Sequence, residues 1–164
     1  MKFKKKWFYL ISTAILIDQI SKILISFFID INSSKQIISS FLRFTYITND
    51  GIAFGLNPFG NSVLLFLLST LACFFIVKIL FDSKDDFYLI QFSLCLIIGG
   101  ATGNLIDRFF TSFGIMDYNG VIDFIDIGFS GYRFYVFNFA DSFITIGIIL
   151  YIISFLVNKK NNVK

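Results

Sequence analysis

Four apolar stretches, at approximately residues 7–29, 61–81, 87–108 and 138–157, constrain this chain more than any other feature. Each is long enough to cross about 30 Å of hydrocarbon as a helix, which takes about 20 residues. Backbone N–H and C=O groups find no water in that layer, so a spanning segment must pair them internally. Composition agrees with a lipid solvent: 56% of the 164 residues are hydrophobic, 15% are charged and the mean hydropathy is +0.78. A water-soluble domain of this size could not hide so much apolar surface. Residues 1–164 therefore read as a single integral-membrane domain, an all-α membrane protein of four transmembrane helices. The first stretch has the basic start and apolar core (WFYLISTAILI) of a secretory signal, but no small-x-small cleavage site follows. Asp18, Gln19 and Lys22 instead run on into more apolar residues, as expected of a retained span.

Charge sets the expected orientation. Lys2, Lys4, Lys5 and Lys6 open the chain and Lys159, Lys160 and Lys164 close it, so the positive-inside rule places both termini in the cytoplasm. The short FDSKDDF loop between the second and third spans also falls on that side, although it is not positive. The net charge of +3, gathered at the ends, points to membrane anchoring and not to nucleic acid. Lys78 is expected to snorkel to the interface, and Cys73 and Cys95 to act as small buried hydrophobes. Two segments, approximately 30–60 and 109–137, remain for the extracytoplasmic face. Residues 37–48 (IISSFLRFTYIT) suggest strands, with Gly51, Gly55, Asn57-Pro58 and Gly60-Asn61 punctuating the approach to the second span. Residues 109–137, with aromatics, four glycines, Asp117, Asp123 and Asp126, read as a loop lying along the interface.

The chain has no histidine, and all 11 of its acidic residues are aspartates. Ser-His-Asp and Cys-His catalysis, HExxH zinc sites and any glutamate mechanism are thereby excluded. Charges at membrane depth are costly and therefore informative. Asp18 and Lys22 lie four apart on one helix face and can neutralise each other as a structural pair. The third span ends in GGATGNLIDR, where Gly99 and Gly103 permit close helix approach and Asn104, Asp107 and Arg108 bring polar groups together. The fourth opens with FNFADS, placing Asn138 and Asp141 three apart at a helix N-terminus. Asp123 sits in VIDFID among apolar residues. Should Asp123 and Asp141 meet, two carboxylates about 3 Å apart would share a proton, one acting as base on a water and the other polarising a carbonyl. That hydrolyses a peptide without histidine, cofactor or covalent intermediate. A hard-cation site built from Asp123, Asp126 and Asp141 is the competing reading. On residues alone, a transporter using Asp18, Lys22, Asp107 and Arg108 as a polar pathway, or a scaffold glued by them, also stays open.

These blocks taken together resemble the lipoprotein signal peptidase family (signal peptidase II, aspartic peptidases). DQISK (18–22), NDGIAFG (49–55), GGATGNLIDR (99–108), VIDFID (121–126) and FNFADS (137–142) follow in that family's order along the chain. The resemblance implies a small extracytoplasmic β-cradle and an outer-face loop or helix on the four spans. It implies a cell inner membrane endopeptidase with no cofactor or metal that acts on diacylglyceryl-modified prolipoproteins and cuts on the amino side of the lipidated cysteine. Carried over by position, the catalytic pair is Asp123 and Asp141. Asn49, Gly51, Gly103, Asn104, Asp107, Arg108, Asn138 and Ala140 are the substrate-binding or supporting residues. Asn49, Asn104, Arg108 and Asn138 are expected to hold substrate backbone, and Asp107 to orient Arg108. A monomer surrounded by membrane lipid supplies every one of these groups.

Overall fold

A computed structural model describes residues 5–51, 60–83, 87–115 and 118–161, with side chains omitted at 158–161. The expected Gly55, Asn57-Pro58 turn and Asp117 lie outside the described residues, as do Lys2, Lys4 and Lys164. Four helices form: α1 (Lys5–Phe28), α2 (Ser62–Asp82), α3 (Tyr88–Ser112) and α4 (Phe139–Asn161). All four are long and apolar enough to cross a membrane. Their boundaries follow the four apolar stretches, except that α3 continues one turn beyond Arg108 and α4 one turn beyond Val157.

Helix α3 is the centre of the bundle, with Ser93 to Gly100 buried without a break. The expected small-residue packing occurs on its α1 side. A Cβ at Gly99 would lie 2.7 Å from the Ala14 Cβ, and one at Gly103 only 2.5 Å from Asp18 Oδ2. The outward faces of α1, α2 and α4 leave Leu16, Phe27, Leu67, Phe74, Ile149 and Phe155 exposed, which suits lipid and not water. At the end away from the sheet, the Trp7 indole N–H donates to Gln91 Oε1 at 3.1 Å. The Lys6 ammonium sits 4.5 Å and 4.1 Å from the Trp7 and Tyr88 ring centroids. Cys95 is fully buried in the cluster of Trp7, Leu80, Leu94 and Ile98, while Cys73 is half-buried and Lys78 exposed.

Four strands make one sheet in the order β1-β2-β3-β4: β1 (Ser34–Ile38), β2 (Leu42–Asn49), β3 (Val121–Phe129) and β4 (Tyr132–Arg133). It lies where α1 and α3 end and α2 and α4 begin. The strands expected within 37–48 appear as β2 and the end of β1, which begins earlier, at Ser34. Residues 109–137, by contrast, are not a simple loop, since they hold β3, the longest strand. The reason it went unread is physical. VIDFIDIGF is covered on both faces, with Val121 to Phe124 all buried, so it lacks the period-two alternation of a half-exposed strand. Among the described residues no separate outer-face helix forms in 30–60 or 109–137. The sheet is seated on α1 by Ile25, Ile29, Ile122 and Phe124, with Phe44, Tyr46 and Tyr118 packed around them.

Candidate active site

The site begins with the start of α4. Asn138 caps the helix: its Oδ1 accepts the Asp141 N–H at 2.9 Å, and Asp141 Oδ2 accepts the Asn138 N–H at 3.2 Å. This reciprocal pairing satisfies two backbone donors that the first turn would otherwise strand. It also fixes the Asp141 side chain. The other end of the Asn138 amide is thereby aimed off the helix, where Nδ2 lies 2.7 Å from Asp123 Oδ1, 3.0 Å from Asn104 Oδ1 and 3.2 Å from the Ile122 carbonyl. One buried amide thus touches both aspartates predicted from sequence, which lie on different elements.

The remaining acceptors are met from α3 and β2. Asn104 Nδ2 donates to Asp141 Oδ1 at 2.8 Å. Asn49, at the end of β2, donates through Nδ2 to Asp123 Oδ2 at 3.2 Å and accepts the Gly51 N–H at 3.0 Å. Arg108 Nη2 donates to the Gly51 carbonyl at 3.0 Å, tying the chain after β2 to α3. Asp123 is 3% exposed, whereas Asp141 is half-buried. Burial first, and then the neighbouring charge of Asp141, pushes the Asp123 carboxyl up to about 7, against the opposing pull of Asn49, Lys22 and Asn138. A carboxylic acid that holds its proton near neutrality, beside a second carboxylate, has the acid–base asymmetry that hydrolysis needs.

Behind the aspartates lies a second, fully buried layer. Lys22 Nζ bonds Asp18 Oδ2 at 2.7 Å, Asp107 Oδ2 at 2.8 Å and Asn104 Oδ1 at 2.9 Å. The Asp18–Lys22 pair expected from the four-residue spacing is present. Asp18 Oδ1 also accepts the Ala140 N–H at 2.9 Å, joining α1 to the first turn of α4. Ala140 itself has no exposed surface. Asp107, expected to orient Arg108, turns instead to Lys22, and its Oδ2 accepts the Ile122 N–H of β3 at 3.2 Å. Adjacent helix residues project about 100° apart, so Asp107 and Arg108 serve different faces. Asn104 and Asn138, expected to hold substrate backbone, bond the aspartates here. Gln19 went unpredicted: its Nε2 lies 3.1 Å from the Gly103 carbonyl and 3.2 Å from both Asp18 Oδ2 and Asp107 Oδ1. Its one signal in the sequence was an uncharged amide at membrane depth beside Asp18.

Asp126 does not join the pair. Three residues on from Asp123 in a strand, it projects from the opposite face. There Arg133 Nε meets its Oδ1 at 2.6 Å and Thr45 Oγ1 donates to its Oδ2 at 2.9 Å. The alternative cation site therefore loses its third carboxylate. Among the described residues no three aspartate or cysteine side chains are grouped to hold a metal.

A family model described as signal peptidase (SPase) II matches residues 10–157, which take in every residue of this site. The chain belongs to the signal peptidase II family. Lipoprotein signal peptidases of Staphylococcus aureus strains JH9 and Newman are 36% identical to it over 162 residues, covering 93% of this chain and 93% of theirs. The architecture agrees as well. A solved bacterial membrane enzyme, determined by the in meso method at 2.3 Å, superposes with a TM-score of 0.82 at 33% identity, covering 97% of this chain and 92% of the other. A second such structure at 1.9 Å gives 0.78, also at 33% identity, covering 94% of each. As a member of a signal peptidase II family with four span-length helices, the chain is a membrane-spanning peptidase.

Proposed function

We propose that this chain is an aspartic endopeptidase of the bacterial cytoplasmic membrane that removes signal peptides from diacylglyceryl-modified prolipoproteins, cutting on the amino side of the lipidated cysteine. The observation that carries the reading is the pair of carboxylates, Asp123 and Asp141, bridged by one buried asparagine at the sheet end of the bundle. In the proposed reaction Asp141 takes a proton from a water held between the carboxylates. The oxygen of that water attacks the scissile carbonyl carbon as Asp123 gives its proton to the carbonyl oxygen. A tetrahedral intermediate forms with no covalent bond to the protein. On its collapse the C–N bond breaks, the leaving amine takes the proton from Asp141, and the second hydroxyl proton returns to Asp123. The protein starts and ends in the same protonation state, with no cofactor required.

The surroundings support this substrate. The site sits where a spanning signal helix would emerge, and acyl anchoring of the substrate would confine its search to the membrane plane. An apolar groove of about 340 Å³ between α2 and α3, lined by Phe66, Thr102, Leu105, Ile106, Phe109 and Phe110, lies at the level of Asn104 and Arg108 and suits an acyl chain. Arg108 and Gly51, at the edge of the pair, are assigned to the substrate backbone. The lysine-rich termini support a cytoplasmic opposite end of the bundle and an outward-facing site, and one copy of the chain carries all its groups. The transport reading loses ground because Asp18, Lys22 and Asp107 are fully buried and satisfy one another. The test replaces Asp123 or Asp141 by Asn and follows processing of a diacylglyceryl-modified prolipoprotein in liposomes. Each change is expected to lower turnover by about 10²–10⁴-fold; retained turnover in both stably inserted variants would overturn the mechanism.

A further inference from the structure

The buried lysine behind the aspartates has a geometry that helix pairing alone does not require. An ammonium has three protons, and Lys22 places them on three acceptors: Asp18, Asp107 and Asn104. The two carboxylates, on α1 and α3, would suffice to hold those helices together. The third bond goes to Asn104, the α3 side chain that also donates to Asp141.

An asparagine amide is nearly symmetric in shape, so its direction is set by what its two ends meet. Asn104 Oδ1 receives two donors, Lys22 Nζ at 2.9 Å and Asn138 Nδ2 at 3.0 Å. With the oxygen end committed, the amide nitrogen must face Asp141, where it donates at 2.8 Å. Flipped, Asn104 would turn its oxygen on a carboxylate oxygen and its NH₂ on an ammonium. We propose that Lys22 is a positioning residue for the reaction, acting through Asn104 to hold the Asp141 carboxylate in its working orientation. This deepens the peptidase reading and rests on it. Lys22 has no exposed surface, so it cannot touch substrate and must act at one remove.

The charged groups that face Asp123 are Asp141 on α4, Lys22 on α1 and Arg108 on α3, while Lys22 itself faces Asp18 on α1 and Asp107 on α3. Its positive charge opposes the rise of Asp123, so its removal pushes that carboxyl higher still.

The experiment uses the full chain in liposomes with a diacylglyceryl-modified prolipoprotein, and measures kcat, KM and the pH profile. Lys22→Met leaves two buried carboxylates uncompensated, which is strongly destabilising. The companion variant Asp18→Asn/Lys22→Met/Asp107→Asn removes all three charges and keeps an amide oxygen for the Ala140 N–H. In whichever variant inserts stably, kcat is expected to fall by about 10²-fold, the scale of a misplaced catalytic group. KM should hold within about twofold in either variant, and in Lys22→Met, where the positive charge alone is lost, the alkaline limb of the profile should move to higher pH. A cluster that only joins helices predicts otherwise: kcat within about threefold of the unaltered enzyme in a stably inserted variant overturns the proposal. No cleavage by the unaltered enzyme overturns the peptidase reading, and this inference with it.

Discussion

Asn138 does two jobs with opposite ends of one amide, and the two can be separated. Its Oδ1 caps α4 by accepting the Asp141 N–H at 2.9 Å, while its Nδ2 donates to Asp123 Oδ1 at 2.7 Å. Asn138→Ser keeps an oxygen that can cap the helix but has no group able to reach Asp123. Asn138→Ala loses both. The cap is worth about 0.5–2 kcal/mol, and each variant also leaves a buried acceptor short of a donor at about 1–3 kcal/mol. The alanine variant is therefore expected to unfold more readily than the serine variant by about 1 kcal/mol, the cap alone. Activity should not follow stability. Both variants lose the hydrogen bond that opposes the rise of Asp123, and both free the Asp123 carboxylate to turn, so both should lose turnover by about 10²-fold. The sign of the pH effect follows. With Asp123 as the proposed acid, activity should fall as pH rises through its value of about 7. Without the Asn138 donor that value climbs, and the alkaline limb moves up. Denaturation in detergent and prolipoprotein cleavage between pH 5 and 9 are the assays. A serine variant with near-normal turnover, or one as unstable as the alanine variant, refutes the division of labour.

Two further outcomes follow from the same geometry. The raised Asp123 carboxyl binds its proton more tightly in the folded protein than in the unfolded chain, so the stability it contributes declines as pH rises from about 4 to about 7. Thermal unfolding across that window should show the decline in the unaltered protein and a flatter profile in Asp123→Asn. At Gly103 an added Cβ would lie 2.5 Å from Asp18 Oδ2, so Gly103→Ala should displace Asp18 from Lys22 and Ala140. The expected cost is about 1–3 kcal/mol, with prolipoprotein turnover reduced as the start of α4 shifts.

How much was legible depended on whether the signal was local. The four helices and the Asp18–Lys22 pair were written in runs and spacings within one element, where lipid leaves the backbone few alternatives. The absence of histidine and glutamate narrowed the chemistry to aspartates, and the order of the motif blocks pointed to Asp123 and Asp141 among them. Their meeting could not be read, because it depends on where β3 folds between α3 and α4. Gln19 escaped because an amide between two charged residues carries no chemical signature of its own. Asp107 was expected to orient Arg108, yet its side chain bonds Lys22, because adjacent helix residues project toward different faces.

The least legible element, β3, is also the one on which the pairing most depends. A strand that slips by one residue exchanges its two faces. In β3 such a slip would turn Asp123 away from Asn138 and bring the opposite face of the strand toward α4. An all-apolar strand offers little to resist it. Asp126 supplies the resistance: Arg133 from β4 and Thr45 from β2 both close on it, with Arg133 Nη2 also reaching its carbonyl at 2.8 Å and Nη1 the Ser40 carbonyl at 3.0 Å. Arg43 of β2 stands opposite Asp126, and Ile47 opposite Asp123, in the same ladder. The aspartate set apart from the chemistry thus pins the register of the strand that delivers the aspartate assigned to it. The VIDFID block combines both functions at a spacing of three, which a strand requires if the two carboxylates are to face opposite ways.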